Sequence, residues 1–203
     1  MVVDVAGIVL AGGMSRRLGR NKAVEPVGGE SLVRRVIGRL SNVTGQIVVV
    51  VNDERRAAEL RLPPEAKVVQ DAYPDCGSLG GIFTGLRGAD MGWGLVVACD
   101  MPFLNVKLLQ HLVGSTDGFD AVVPTLEGRP EPTHALYSKA CLPHIERRLK
   151  DNDLKIARFF DDVRVNLVPE DEVRRLDPEL LSFFNVNTQE DLDRALALVA
   201  QGN

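Results

Sequence analysis

The feature that most limits what this chain can fold into is its alternation between short runs of Val and Ile and segments of helical period. Alternation on that scale predicts crossover units and a mostly parallel sheet in an α/β fold. Residues 3–10 read as the first strand. Residues 31–40 follow with Leu32, Val33, Val36, Ile37 and Leu40 on one face and Arg34, Arg35 and Arg39 on the other, an amphipathic helix. Residues 46–51 are so β-branched that a strand buried on both faces is expected. A shorter strand over 66–69 follows the Pro63-Pro64 punctuation, and then a glycine-bearing helix over 79–89. Residues 93–98 form another buried strand, which puts Asp100 at a strand's carboxyl end. A helix starts at Asn105, and short strands over 121–123 and 135–137 flank a rigid, exposed loop over 125–133 that holds Pro130 and Pro132. Helical segments over 139–150 and 154–160, a strand over 163–168 and a closing helix over 188–199 complete the pattern. Thr188 with Asp191 three residues on resembles a capping box at that last start.

The chain has 203 residues, enough for one good hydrophobic core and few for two, so residues 1–203 are expected to be a single domain. Against 28 acidic side chains stand 24 basic ones, a formal net charge of -4. No global positive field then exists to hold nucleic acid or an anionic membrane, and any anion site must be local. Apolar runs such as 47–51 are far short of the roughly 20 residues a membrane span needs. Asp4 stands where a signal peptide would carry basic residues, so a cytoplasmic location is expected. Cys76, Cys99 and Cys141 are spaced too widely for a zinc or redox motif and read as reduced structural thiols.

The first segment with chemistry is L-A-G-G-M-S-R-R-L-G-R-N-K, residues 10–22, directly after the first strand. It holds three glycines, four cations and no acid. Glycines permit positive φ and close backbone approach, so successive N–H groups can point at an anion while Arg16 and Lys22 neutralise phosphate oxygens. A polyphosphate suits this chemistry, with a solvated basic turn as the competing reading. Neither the Walker pattern nor the dinucleotide fingerprint is present.

The second segment, A-C-D-M-P-F, sets Asp100 just beyond a buried strand, where a carboxylate can hold Mg²⁺ together with substrate phosphates. A helix cap or turn aspartate is its plainer reading. Asp71 is a second carboxylate at the same edge, followed by Gly77-Ser78-Leu79-Gly80-Gly81, where the backbone can approach a base or ribose; a turn residue is the alternative. In the third segment, F-F-N-V-N-T, alternation puts Asn185 and Asn187 on one side, toward a ligand or toward capping of the last helix. Arg129 and His134, on the proline-bearing loop, face a substrate in one reading; in the other, His134 is a surface or core filler.

Taken together, L-A-G-G-x-S-x-R-x-G then Lys, C-D-M-P-F, E-G-R-P-E-P-T-H-A-L-Y from Glu127 and F-N-V-N-T-x-E-D-L resemble the molybdenum cofactor guanylyltransferases, within the molybdopterin nucleotidyltransferase family. The match runs nearly the whole chain. The resemblance implies a three-layer Rossmann-like nucleotidyltransferase fold and transfer of GMP from Mg-GTP to the terminal phosphate of molybdopterin. It implies nucleotide contacts by Leu10, Ala11, Gly12, Gly13, Lys22, Asn52 and Asp71, with Asp100 on Mg²⁺ and nucleotide, and a product destined for an acceptor molybdoenzyme or its chaperone. Arg16 and Lys22 are then expected to stabilise the leaving pyrophosphate, and Arg129, His134, Asn185 and Asn187 to meet the acceptor. The family usually has Asp before the loop lysine, where this chain has Asn21. A cytidylyltransferase or sugar-phosphate nucleotidylyltransferase of the same fold, and a GTP-binding regulator without catalysis, are the rival readings.

Overall fold

A computed structural model describes residues 4–13 and 21–202. In chain order the strands are β1 Val5–Leu10, β2 Pro26–Val27, β3 Glu30–Ser31, β4 Gln46–Val51, β5 Lys67–Gln70, β6 Trp93–Ala98, β7 Ala121–Leu126, β8 Arg129–Pro130, β9 His134–Ser138 and β10 Val165–Val168. The helices are α1 Leu32–Leu40, α2 Glu54–Leu60, α3 Gly77–Gly88, α4 Val106–Gly114, α5 Leu142–Lys150, α6 Glu170–Leu176 and α7 Gln189–Ala200. The central sheet runs β10-β7-β9-β6-β1-β4-β5, with β8 paired to β7. Every neighbour along the sheet is parallel except at β9, which runs against both β6 and β7.

The inner strands β1, β4, β6, β7 and β9 are largely buried on both faces, since period-two alternation sends successive side chains to opposite helix layers. Val49, Val51, Leu95 and Val97 join one apolar cluster, with Val33, Val36 and Leu40 of α1 and Leu108, Leu109 and Leu112 of α4. Val48, Val50 and Val96 join the other, with Ile82 and Leu86 of α3 and Ile145 and Leu149 of α5. The result is three layers, helix on sheet on helix. A smaller cluster of Val27, Leu32, Phe103, Val186, Leu192 and Ala195 docks α7 against the β2–β3 hairpin. Each such aliphatic side chain contributes about 1.5–3 kcal/mol by leaving water.

Several expectations needed adjustment. The loop over 125–133 is partly a hairpin: Glu127 and Gly128, with φ 50° and 72°, turn β7 into β8. Residues 154–160 were expected as ordinary helix, but the chain there takes a 3-10 helix over Ile156–Asp162. Helices α2 and α6 and the β2–β3 hairpin had no counterpart in the sequence reading. Cys99 and Cys141 are buried, and burial pushes both thiols up to about 12; no disulfide forms among the described cysteines. Among the described residues, no helix is long and apolar enough to cross a membrane.

Candidate active site

The carboxyl ends of the parallel strands β1, β4, β5 and β6 put the loops after them on one edge, the place where open α/β sheets bind ligands. The loop after β1 is anchored by Ala11 N–H to the Val50 carbonyl at 2.9 Å, and the Leu10 carbonyl accepts from Cys99 N–H at 3.2 Å. These bonds bring the glycine loop beside the C-D-M-P-F segment. Asn52, after β4, lies against Gly12 so closely that a Cβ at Gly12 would sit 2.1 Å from its Oδ1. A side chain at Gly12 would push the Asn52 amide out of its place.

Leu10, Gly12, Gly13, Asn52, Asp71 and Gly81 line a cavity of about 380 Å³, together with Pro74, Asp75, Gly77 and Ser78. Asp71 is buried, and its Oδ1 accepts from Thr84 Oγ1 at 2.8 Å and from Tyr73 N–H at 3.0 Å. Thr84, on α3, thus fixes the carboxylate's orientation.

Asp100 is 5% exposed. One oxygen, Oδ2, pairs with Lys22 Nζ; the other, Oδ1, is buried and meets no hydrogen-bond partner among the described residues. An ionised carboxylate oxygen left bare in a nearly dry position is costly, and its chemistry suits a hard cation. Among the described residues no group of three or more His, Cys, Asp or Glu is gathered for a metal. A cation held at Asp100 would therefore draw its remaining ligands from outside the described side chains, the usual habit of Mg²⁺.

Lys22 Nζ also donates to Asn187 Oδ1 at 2.9 Å, and the Val186 N–H donates to the Asp100 carbonyl at 2.9 Å. The closing F-N-V-N-T segment is therefore fastened to the aspartate. Phe184 packs on Phe103 of C-D-M-P-F with ring centroids 5.8 Å apart, and Arg35 holds the Pro102 carbonyl at 3.1 Å. Capping of α7 falls to Thr188 and Asp191, which form a full capping box, and Asp191 Oδ2 also accepts from Asn187 N–H. Asn185 instead turns back on the chain, its Nδ2 donating to the Phe183 carbonyl at 2.9 Å.

A second cavity of about 750 Å³ shares Asp75, Gly77 and Ser78 with the first. Gly77, at φ +59°, makes the turn between them. Its other walls are Arg129, Pro130 and Pro132 of the hairpin and the stretch Leu154, Lys155, Ile156 and Ala157. Arg129 lines this second cavity. His134 does not: it is the first residue of β9, fully buried, with its ring 4.5 Å from that of Phe183 and neither ring nitrogen bonded. The expectation that it faces an acceptor is corrected on that ground, because β9 pairs with β6 and turns the imidazole into the core. Arg16 lies outside the described residues.

Sequence reasoning missed Arg56. Its Nε and Nη2 donate to the carbonyls of Ala11 and Gly13 at 3.2 and 3.1 Å, from α2. No sequence pattern marks a side chain whose partners are backbone oxygens.

Residues 7–167 match the sequence profile of the MobA-like NTP transferase domain. A probable molybdenum cofactor guanylyltransferase of Pelotomaculum thermopropionicum is 39% identical over 96% of this chain and 93% of its own length. The molybdenum cofactor guanylyltransferase of Desulfosudis oleivorans is 36% identical over 98% of this chain and 97% of its own. The crystal structure of molybdopterin-guanine dinucleotide biosynthesis protein A from Archaeoglobus fulgidus superposes with a TM-score of 0.84 at 34% identity, covering 97% of this chain and 99% of that one. A sheet edge that sets a glycine loop beside a lysine-paired aspartate, with these relatives spanning nearly the full length, identifies the chain as a nucleotidyltransferase that belongs to the MobA-like NTP transferase family, in its molybdenum cofactor guanylyltransferase group.

Proposed function

We propose that this chain transfers GMP from Mg-GTP to the terminal phosphate of molybdopterin, releasing pyrophosphate and leaving a guanine dinucleotide cofactor. It does so within one domain, in the cytoplasm. The observation that carries the reading is Asp100, with Lys22 on one oxygen and the other oxygen buried and bare, one residue after Cys99, whose N–H bonds the carbonyl of Leu10 on the cavity wall.

In this reading Leu10, Ala11, Gly12 and Gly13 hold the nucleotide from beneath, and Asn52 and Asp71 hold its flank. Asp100 would hold Mg²⁺, which when bound would supply positive charge to the phosphate oxygens and make the α-phosphorus more electrophilic. An oxygen of the acceptor phosphate forms the new bond to the α-phosphorus while the bond from that phosphorus to the pyrophosphate oxygen breaks, and the electron pair leaves with pyrophosphate. The acceptor phosphate is already ionised at neutral pH, so this chain needs no general base. Its work is positioning and neutralising charge, the larger part of phosphoryl-type catalysis. Lys22, with Arg16, neutralises the departing pyrophosphate. The second cavity, with Arg129 at its wall, receives the acceptor, and Asn185 stays a candidate contact there. Asn187 works through Lys22.

The test is pyrophosphate release from Mg-GTP with and without molybdopterin, with CTP and UTP in parallel. Release that requires both GTP and molybdopterin is expected. Release with CTP in place of GTP overturns the guanine choice, and GTP binding without any release points to a regulator instead.

A further inference from the structure

We infer that Arg56 is a positioning residue for the nucleotide loop: its guanidinium fixes the carbonyls of Ala11 and Gly13 and thereby aims the loop's amides. The inference rests on the nucleotide reading of that loop and adds a residue to it.

In a trans peptide the C=O and the following N–H point in opposite directions, and the described residues contain no cis bond. With the Ala11 carbonyl turned to Arg56, the Gly12 N–H points away from it. A free glycine pair has wide conformational freedom, so amides left to themselves are not aimed at anything. Arg56 removes that freedom at two alternate carbonyls at once, because Nε and Nη2 lie on one edge of a rigid planar fork. A lysine ammonium offers a point charge and no such spacing.

The fork is itself held. Asp53 caps α2 by accepting from Arg56 N–H at 2.7 Å, which fixes the backbone from which the side chain leaves, and Asn52 closes on Gly12 from the same stretch. Helix α2 also reaches the other stem: Glu59 Oε2 accepts from Asn21 Nδ2 at 3.0 Å. One short helix therefore grips residues on both sides of 14–20. Arg56 adds a positive charge beneath the phosphates as well, so the experiment must separate charge from geometry.

GTP binding in the presence of Mg²⁺ is measured by calorimetry for the wild type, Arg56→Lys and Arg56→Ala, with melting temperature in the absence of nucleotide and steady-state kinetics alongside. The expected result is GTP binding weaker by about tenfold or more in both variants, the loss that goes with two hydrogen bonds from a charged donor. KM for GTP rises in step, kcat at saturation stays within a few-fold, and Arg56→Lys melts close to the wild type. The Gly12 and Gly13 amide resonances of nucleotide-free Arg56→Lys are expected to move. Wild-type affinity in Arg56→Lys overturns the inference, including the case in which Arg56→Ala alone is weak, since charge then suffices. Should Arg56→Ala fail to fold, Arg56→Lys decides. A wild type that binds CTP and no GTP defeats the guanine reading, and the same comparison on CTP then decides Arg56; a wild type that binds neither overturns both.

Discussion

Lys22 Nζ donates to Asn187 Oδ1 at 2.9 Å while pairing with Asp100, so one ammonium joins the loop after β1, the end of β6 and the start of α7. The amide oxygen sets where the charge sits when no substrate is bound. Replacing Asn187 by Ala removes one hydrogen bond to a charged group, about 1.5 kcal/mol or more, so kcat should fall about tenfold. KM for the acceptor should stay near the wild-type value. Steady-state pyrophosphate release checks both, and a raised acceptor KM with unchanged kcat would return Asn187 to the acceptor's side.

Asp100→Asn keeps the shape and removes the charge. Lys22 then loses its ionic partner in a site where its side chain is 15% exposed, which should cost about 2 kcal/mol of stability, less than for a fully buried pair. Turnover should fall by about a hundredfold or more, the scale on which a lost electrostatic stabiliser acts. Urea unfolding reports the first effect and pyrophosphate release the second. Turnover near that of the wild type would remove Asp100 from the reaction.

Asn21 stands where the family usually carries Asp, and Glu59 explains why the amide suits this chain. Nδ2 donates to that carboxylate, while Oδ1 accepts from Ala23 N–H at 3.2 Å. Asn21→Asp would set two carboxylates against each other in an exposed position. We expect a loss of about 0.5–1 kcal/mol in thermal or urea unfolding, restored when Glu59→Gln is added. A single Asn21→Asp variant as stable as the wild type would show that the pair contributes nothing.

What could be read in the sequence follows from where the information resides. Gln46–Val51 and Trp93–Ala98 were legible to the residue because short, nearly all-apolar runs rich in valine and buried on both faces have few other uses. Asp100 and Lys22 were legible because a carboxylate past such a strand and a lysine in a glycine loop are themselves unusual. Helix α2 was not, since Glu54–Leu60 buries only Leu60 and shows no apolar stripe. Arg56 was hidden with it: its partners are carbonyls, which every residue has. Asn185 and Asn187 looked alike in sequence, and only the packing of Phe184 on Phe103 and the bond from Val186 to Asp100 decide which of them reaches Lys22.

His134 shows the opposite case, a histidine whose chemistry is stability. Burial pushes its pKa down to about 4; contact with its own backbone and the charge of Asp177 pull the other way and are outweighed, and the ring rests on Phe183. The unfolded chain takes up this proton near pH 6.5, the folded chain only near 4. Between those values the unfolded state binds more protons, so stability is full above about pH 6.5 and falls as pH drops toward 4. The loss from this one residue is on the order of 3 kcal/mol. Carboxylates held low by arginine partners, such as Asp120 and Asp162, also lose stability on acidification, so the histidine's share must be read by difference. Urea unfolding at pH 7, 5.5 and 4.5 should give a clearly shallower pH dependence for His134→Leu than for the wild type. Parallel curves would mean that His134 takes up its proton in the folded protein as readily as in the unfolded chain.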